Sequence, residues 1–117
     1  MWQIEYTDEF ELWWRSLSEH EQIDLVASID LLEQIGPNLA RPYSDTLRGS
    51  KHTNMKELRT QSKGKPLRTF YAFDSRRSAI LLIGGDKTGD DRFYERMIPL
   101  ADRLYDEHLR DIKREEF

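Results

Sequence analysis

Apolar positions along the 117-residue chain change period several times, and each change marks an element. Residues 1–6 (MWQIEY) alternate weakly and are rich in aromatic and β-branched types, which predicts a first strand. Thr7 or Asp8 then offers a helix N-cap, with Asp8, Glu9 and Glu11 where the positive end of the helix dipole favours acids. Phe10, Trp13, Trp14 and Leu17 fall at helical spacing and form one apolar stripe, read as core rather than as a cofactor platform. Ser18, with Glu21 three residues on, has capping-box spacing, and Ile23, Val26, Ala27, Ile29, Leu31, Leu32 and Ile35 continue a second helix. Gly36-Pro37 ends it: glycine takes the left-handed cap and proline cannot continue the turn. Two helices with so short a joint predict an antiparallel hairpin.

Residues 38–54 carry Pro42, Gly49 and small polar residues and read as a loop. Three strand-like runs follow, at 55–60, 67–73 and 79–83, joined by turns short enough for antiparallel hairpins. The apolar density of 79–83 marks a central strand with both faces covered. From Asp90 onward Phe93, Met97, Leu100 and Leu104 recur at helical spacing, with a kink or break expected at Pro99 and a fraying tail over 111–117. The order β–α–α–β–β–β–α predicts one α+β domain over residues 1–117: an N-terminal strand and helical hairpin packed on one face of a small antiparallel sheet, with a C-terminal helix.

Charge changes the picture more than composition does. The net charge of −4 argues against a nucleic-acid partner only until the chain is divided. Residues 1–40 hold nine acids and one base, residues 41–77 ten bases and three acids, and residues 78–117 seven bases and ten acids. Charges are screened over roughly 8 Å at physiological salt, so a concentrated basic middle can bind anions on an acidic protein. The other reading is that this block pairs with the acidic helices in a solvated network.

Absences narrow the chemistry. The chain has no cysteine, which excludes disulfides, thiolate metal sites and cysteine nucleophiles. Its three histidines show no metal-ligand spacing. The longest apolar run, 79–85, is far short of the ~20 residues of a membrane span, and no basic stub leads into a signal-like stretch, so a cytoplasmic protein is expected. No phosphate loop, nucleophile elbow or isolated carboxylate pair stands out. The basic block remains. Leu58 suits the core, so strand alternation turns Glu57 and Arg59 to the opposite, open face, and Arg68 shares that side in the next strand. Lys87 reaches it from the end of the last strand. Cations drawn from three strands beside Glu57 suit a phosphodiester, whose non-bridging oxygens gain charge during transfer. A plain surface charge pair in which Glu57 neutralises Arg59 is the alternative.

Taken in order, Lys56-Glu57-Leu58-Arg59, Arg68-Thr69-Phe70-Tyr71 and Ala79-Ile80-Leu81-Leu82 running on to Lys87-Thr88 resemble the RelE/HigB superfamily of toxins from toxin–antitoxin modules, in its phage-derived HigB-like branch. Phe10, Trp13 and Leu17, Leu31-Leu32 with Gly36, and Ala101, Arg103 and Tyr105 extend the likeness over about residues 2–110. The resemblance implies a microbial RNase-like sheet and metal-independent mRNA cleavage, usually on the ribosome, by attack of a ribose 2′-hydroxyl on the adjacent phosphate. No cofactor is implied. It assigns Arg59, Arg68 and Lys87 to phosphate and transition-state stabilisation, and Lys56, Arg48 and Lys51 to RNA contact. A family tyrosine near the last helix falls at Phe93 or Tyr94, with Tyr94 the candidate. Asp86-Lys87 stands where two lysines are common. No histidine is placed to act as base, which leaves Glu57 as the candidate. The implied partners are a helix-turn-helix antitoxin of HigA type, mRNA and the ribosome. A ParE-like gyrase inhibitor on the same fold and a non-catalytic protein-binding module are the competing classes.

Overall fold

The structure, a computed structural model, describes residues 1–115. It runs β1 (Gln3–Tyr6), α1 (Asp8–Ser16), α2 (Glu19–Ile35), a 3-10 turn (Gly36–Asn38), β2 (Ser44–Thr46), β3 (Lys56–Ser62), β4 (Lys65–Phe73), β5 (Ser78–Asp86) and α3 (Phe93–Glu115). The helix boundaries follow local chemistry. The Thr7 side chain accepts from the Phe10 N–H, and Ser18 and Glu21 form the complete reciprocal capping box. Gly36, at φ 72°, closes α2. It also lies against the Trp2 indole, so close that an added Cβ would fall 2.2 Å from Nε1.

Strand order in the five-stranded sheet is β1-β5-β4-β3-β2. Strands β2 to β5 pair antiparallel, whereas β1 pairs parallel with β5, Gln3 opposite Ser78 and Tyr6 opposite Leu81. The expected antiparallel sheet is present in β2 to β5, and β1 joins it as a parallel edge strand. The helix arrangement is corrected, because helices cover both faces of the sheet. Alternation along β3, β4 and β5 sends Leu58, Tyr71, Ala79 and Leu81 toward α1 and α2, and Phe70, Ala72, Ile80 and Leu82 toward α3. Covering both faces explains the near-continuous apolar run of β5.

Two further expectations change. Pro99 does not break α3, which is continuous from Phe93 to Glu115. Proline removes one backbone donor, but Met97, Ala101, Leu104 and Tyr105 hold the following turns on the sheet. The stretch 38–54 is not all loop: Ser44–Thr46 pairs with Leu58, Glu57 and Lys56 as an edge strand. The predicted tail is helical to Glu115, and its last two residues lie outside the described residues. No helix among the described residues is long and apolar enough to cross a membrane.

One polar cluster fastens three elements. Asp74, whose side chain is fully buried, sits at the turn between β4 and β5 and contacts His108 Nε2 of α3 at 3.0 Å. It also accepts from Arg76 Nη2 at 2.8 Å, and Arg76 reaches Glu5 of β1 at 2.6 Å. Burial pushes the Asp74 carboxyl up, but the bonds from Arg76, His108 and the backbone together hold it below its usual value. A depressed folded-state pKa stabilises above the unfolded value of about 3.9 and fades as pH falls through the folded one. Asp74→Asn therefore costs about 1–3 kcal/mol at pH 7 in urea unfolding, and the gap to the parent narrows below about pH 4.

Candidate functional site

Four elements meet at an open groove on the α3 face of the sheet. It encloses about 660 Å³ between Arg41, Asp45, Thr46, Leu47 and Arg48 from β2 and its flanks, Glu57 and Arg59 of β3, Lys87 after β5, and Tyr94 and Ile98 of α3. Strand parity is what brings β3 into it: with Leu58 fixed in the core, Glu57 and Arg59 emerge on the other side. Arg59 stands opposite Arg68 in the ladder, and its N–H is pinned by the Tyr43 carbonyl at 2.8 Å.

The floor of the groove is a three-way polar contact. Tyr94 Oη donates to Glu57 Oε1 at 2.6 Å, and Arg68 Nε approaches the same oxygen at 3.3 Å. That second contact is an ion pair without hydrogen-bond geometry, since Arg68 Nε makes no hydrogen bond while its Nη1 donates to the Leu67 carbonyl at 3.0 Å. Burial, then the bond to Glu57 and its negative charge, raise the Tyr94 phenol above its usual value, with Arg68 opposing. Tyr94 therefore keeps its proton at neutral pH. Lys87 Nζ lies 5.2 Å from the centre of the Tyr94 ring, a cation–π contact that holds the ammonium over the groove. At the mouth, Arg41 donates to Asp45 Oδ2 through Nε and Nη2 at 2.9 and 2.7 Å. The hydrogen bond and charge of Arg41 lower Asp45, so this carboxylate stays ionised and one groove cation is partly neutralised.

Placement of the sequence candidates is uneven. Glu57, Arg59, Lys87, Tyr94 and Arg48 line the groove together. Arg68 does not open onto it as expected: it is only 4% exposed and lies beneath, against Glu57. Across from it in the ladder is Gly85, which has no side chain and lets Phe93 press down on the sheet. Phe93 is the core ring, stacked with Phe70, and so Tyr94 is the one that faces the groove. Lys51 is withdrawn, because its ammonium is paired with Asp106 of α3 and its N–H donates to Asp102. Lys56 is withdrawn too, because it alternates to the face opposite Glu57. Asp86 is spent on the Thr88 N–H and hydroxyl in the turn. Arg41 counts in the basic block but is not among the sequence candidates, because it lies in a segment read as loop, with Asp45 four residues on.

Comparison with known proteins agrees on the family. The model of phage-derived protein Gp49-like (DUF891) matches residues 12–106. Two Mycobacterium tuberculosis (strain ATCC 25618 / H37Rv) proteins named as toxins are similar. HigB2 is 44% identical over 99 residues, covering 82% of this chain and 49% of its own length. HigB3 is 44% identical over 96 residues, covering 81% and 82%. The chain thus spans about half the length of one curated relative and most of the other. Among solved structures, the isolated Escherichia coli RelE toxin superposes with a TM-score of 0.60 at 12% identity, over 83% of this chain and 96% of that one. The intact E. coli RelBE toxin–antitoxin complex gives 0.57 at 13% identity, over 73% and 95%. At such identities these two speak for the fold.

Proposed function

The chain belongs to the phage-derived Gp49-like, HigB-like family of the RelE/HigB superfamily, and from that membership we propose that it is the toxin of a type II toxin–antitoxin pair and acts by cutting mRNA. The observation that carries the reading is the meeting of Arg59, Lys87, Glu57 and Tyr94 around one groove, with Arg68 beneath it. Arg59 and Lys87 hold the non-bridging oxygens of a phosphodiester, where fixed cations stabilise the charge that develops in transfer. Glu57 takes the proton of the attacking 2′-hydroxyl. The 2′-oxygen–phosphorus bond forms as the 5′-oxygen–phosphorus bond breaks, leaving a 2′,3′-cyclic phosphate and a 5′-hydroxyl protonated from water. Tyr94, kept protonated and bonded to Oε1, aims the carboxylate, and Arg68 balances its charge from below. Arg48 and Arg41 at the mouth contact the flanking RNA backbone. The partners in this reading are mRNA on the ribosome and a helix-turn-helix antitoxin of HigA type in the cytoplasm; a RelE relative is solved with its antitoxin.

Primer extension after brief induction tests the reading. New 5′ ends in mRNA within minutes, lost when ribosomes are absent, are expected. Growth arrest with intact mRNA and a DNA-damage response would instead assign a gyrase inhibitor on this fold. No arrest and no salt-dependent RNA binding would assign a protein-binding module.

A further inference from the structure

The loop that carries Arg48 is fastened to the helix that walls the groove. Tyr94, Ile98, Asp102 and Asp106 recur every four residues along α3 and so share one side of it. The first two line the groove, and the last two hold the loop between β2 and β3. Asp102 Oδ1 accepts from the Ser50 hydroxyl at 2.5 Å, and Oδ2 accepts from the Lys51 N–H at 3.1 Å. Ser50 Oγ in turn accepts from the His52 N–H at 3.0 Å. Asp106 contacts His52 Nε2 at 2.8 Å and pairs with the Lys51 ammonium. Asp102 is only 8% exposed, and burying a carboxylate costs free energy that an apolar residue in its place would not. Both its oxygens are spent on this one loop. Apolar packing does not fix the loop there, because a cleft of about 280 Å³ lies between Gly49 and the Tyr94, Ile98 and Pro99 side chains. The base of the loop is closed by the Leu47 N–H on the Met55 carbonyl at 3.0 Å, so the bonds to Asp102 set the part beyond it. Arg48 is exposed, and Gly49 turns the chain directly after it at φ 90°. Its guanidinium goes where that backbone carries it.

We propose that Asp102 and Ser50 are positioning residues for RNA binding: their hydrogen bond keeps Arg48 at the mouth of the groove that Tyr94 and Ile98 wall. Neither touches RNA; both act through the loop backbone. The inference rests on the mRNA-cutting reading above and adds the residues that set the mouth of its groove.

Steady-state cleavage of programmed ribosomes by the full chain tests it, with a melting curve to check that each variant is folded. Arg48→Ala raises KM about 5–10-fold and leaves kcat within about 2-fold, as loss of a contact made equally to substrate and transition state does. Ser50→Ala and Asp102→Asn show the same split, and Ser50→Thr, which keeps the hydroxyl, holds KM within about 2-fold of the parent. Asp102 is buried, so Ser50→Ala, in a half-buried loop residue, carries the test where Asp102→Asn fails to fold. The combined Arg48→Ala and Ser50→Ala chain is no worse than Arg48→Ala alone, because a loop without its cation has nothing to place. An unchanged KM in Ser50→Ala overturns the positioning role and leaves the nuclease reading intact. So does an equal rise in KM whether residue 48 is arginine or alanine, which would make the bond a plain loop staple. No cleavage by the parent chain overturns the nuclease reading, and the positioning role with it.

Discussion

Arg59→Ala and Lys87→Ala are each expected to lower mRNA cleavage by about 10²–10³-fold and to abolish growth arrest, with thermal unfolding unchanged. Both side chains line the groove and are half-buried, and neither is hydrogen-bonded to another side chain among the described residues. Their removal therefore takes away positive charge without stranding a buried partner. The two are not equivalent. Arg59 projects from β3, paired with Arg68 of β4 on one side and bonded through its N–H to the Tyr43 carbonyl on the other, and its planar fork suits two phosphate oxygens at once. Lys87 follows the end of β5 and is positioned by its contact with the Tyr94 ring. Lys87→Arg should keep much of the activity, and Arg59→Lys little of it, because a point charge cannot replace a bidentate grip. Single-turnover cleavage of a programmed ribosome, beside a melting curve for each variant, checks this. Full activity in both alanine variants would remove the groove from consideration as the place where RNA is cut.

Why these two cations were legible in the sequence, and others were not, follows from the range of the forces involved. Capping at Thr7 and Ser18 and the end of α2 at Gly36 are written in a few adjacent residues, and the structure reproduces them, although Gly36 takes φ 72° with ψ −143° rather than the left-handed helical cap and a 3-10 turn runs on through Pro37. Strand parity is equally local: once Leu58 is known to be core, Glu57 and Arg59 must leave on the other face. Pairings between distant segments have no such signature. The parallel partnership of β1 with β5 joins Gln3 to Ser78, and nothing near either residue announces it. Lys51 looks like a free cation beside Arg48 until α3 brings Asp106 against it. The edge strand β2 is three residues long with Asp45 at its centre, too short for alternation to register, so Arg41 near it does not stand out as a candidate.

Arg68 shows most clearly what parity leaves undetermined, and it carries the second large prediction. Alternation gives the side of the sheet, not the depth at which α3 seals it. On that pattern alone Arg68→Ala should cost activity and leave folding intact. Burial reverses the second half: Arg68 and Glu57 have side chains 5% and 9% exposed, and their contact lies under Tyr94. Removing the guanidinium leaves a nearly buried carboxylate without its counter-charge, which typically costs about 3–5 kcal/mol. Arg68→Ala is thus expected to unfold at markedly lower urea as well as to lose cleavage. Arg68→Ala combined with Glu57→Gln should recover much of the lost stability, since no buried charge is left unpaired, yet recover no activity, since the proton acceptor is gone as well. Glu57→Gln alone separates the roles further. It keeps the shape of the floor but leaves the Arg68 cation without its counter-charge, so it should be destabilised and inactive together. Chemical unfolding of the four chains, read as a double-mutant cycle, measures the coupling. A value near zero would mean that Arg68 is not held by Glu57, and the charge-balancing role proposed for Arg68 beneath the proton-accepting carboxylate would be gone.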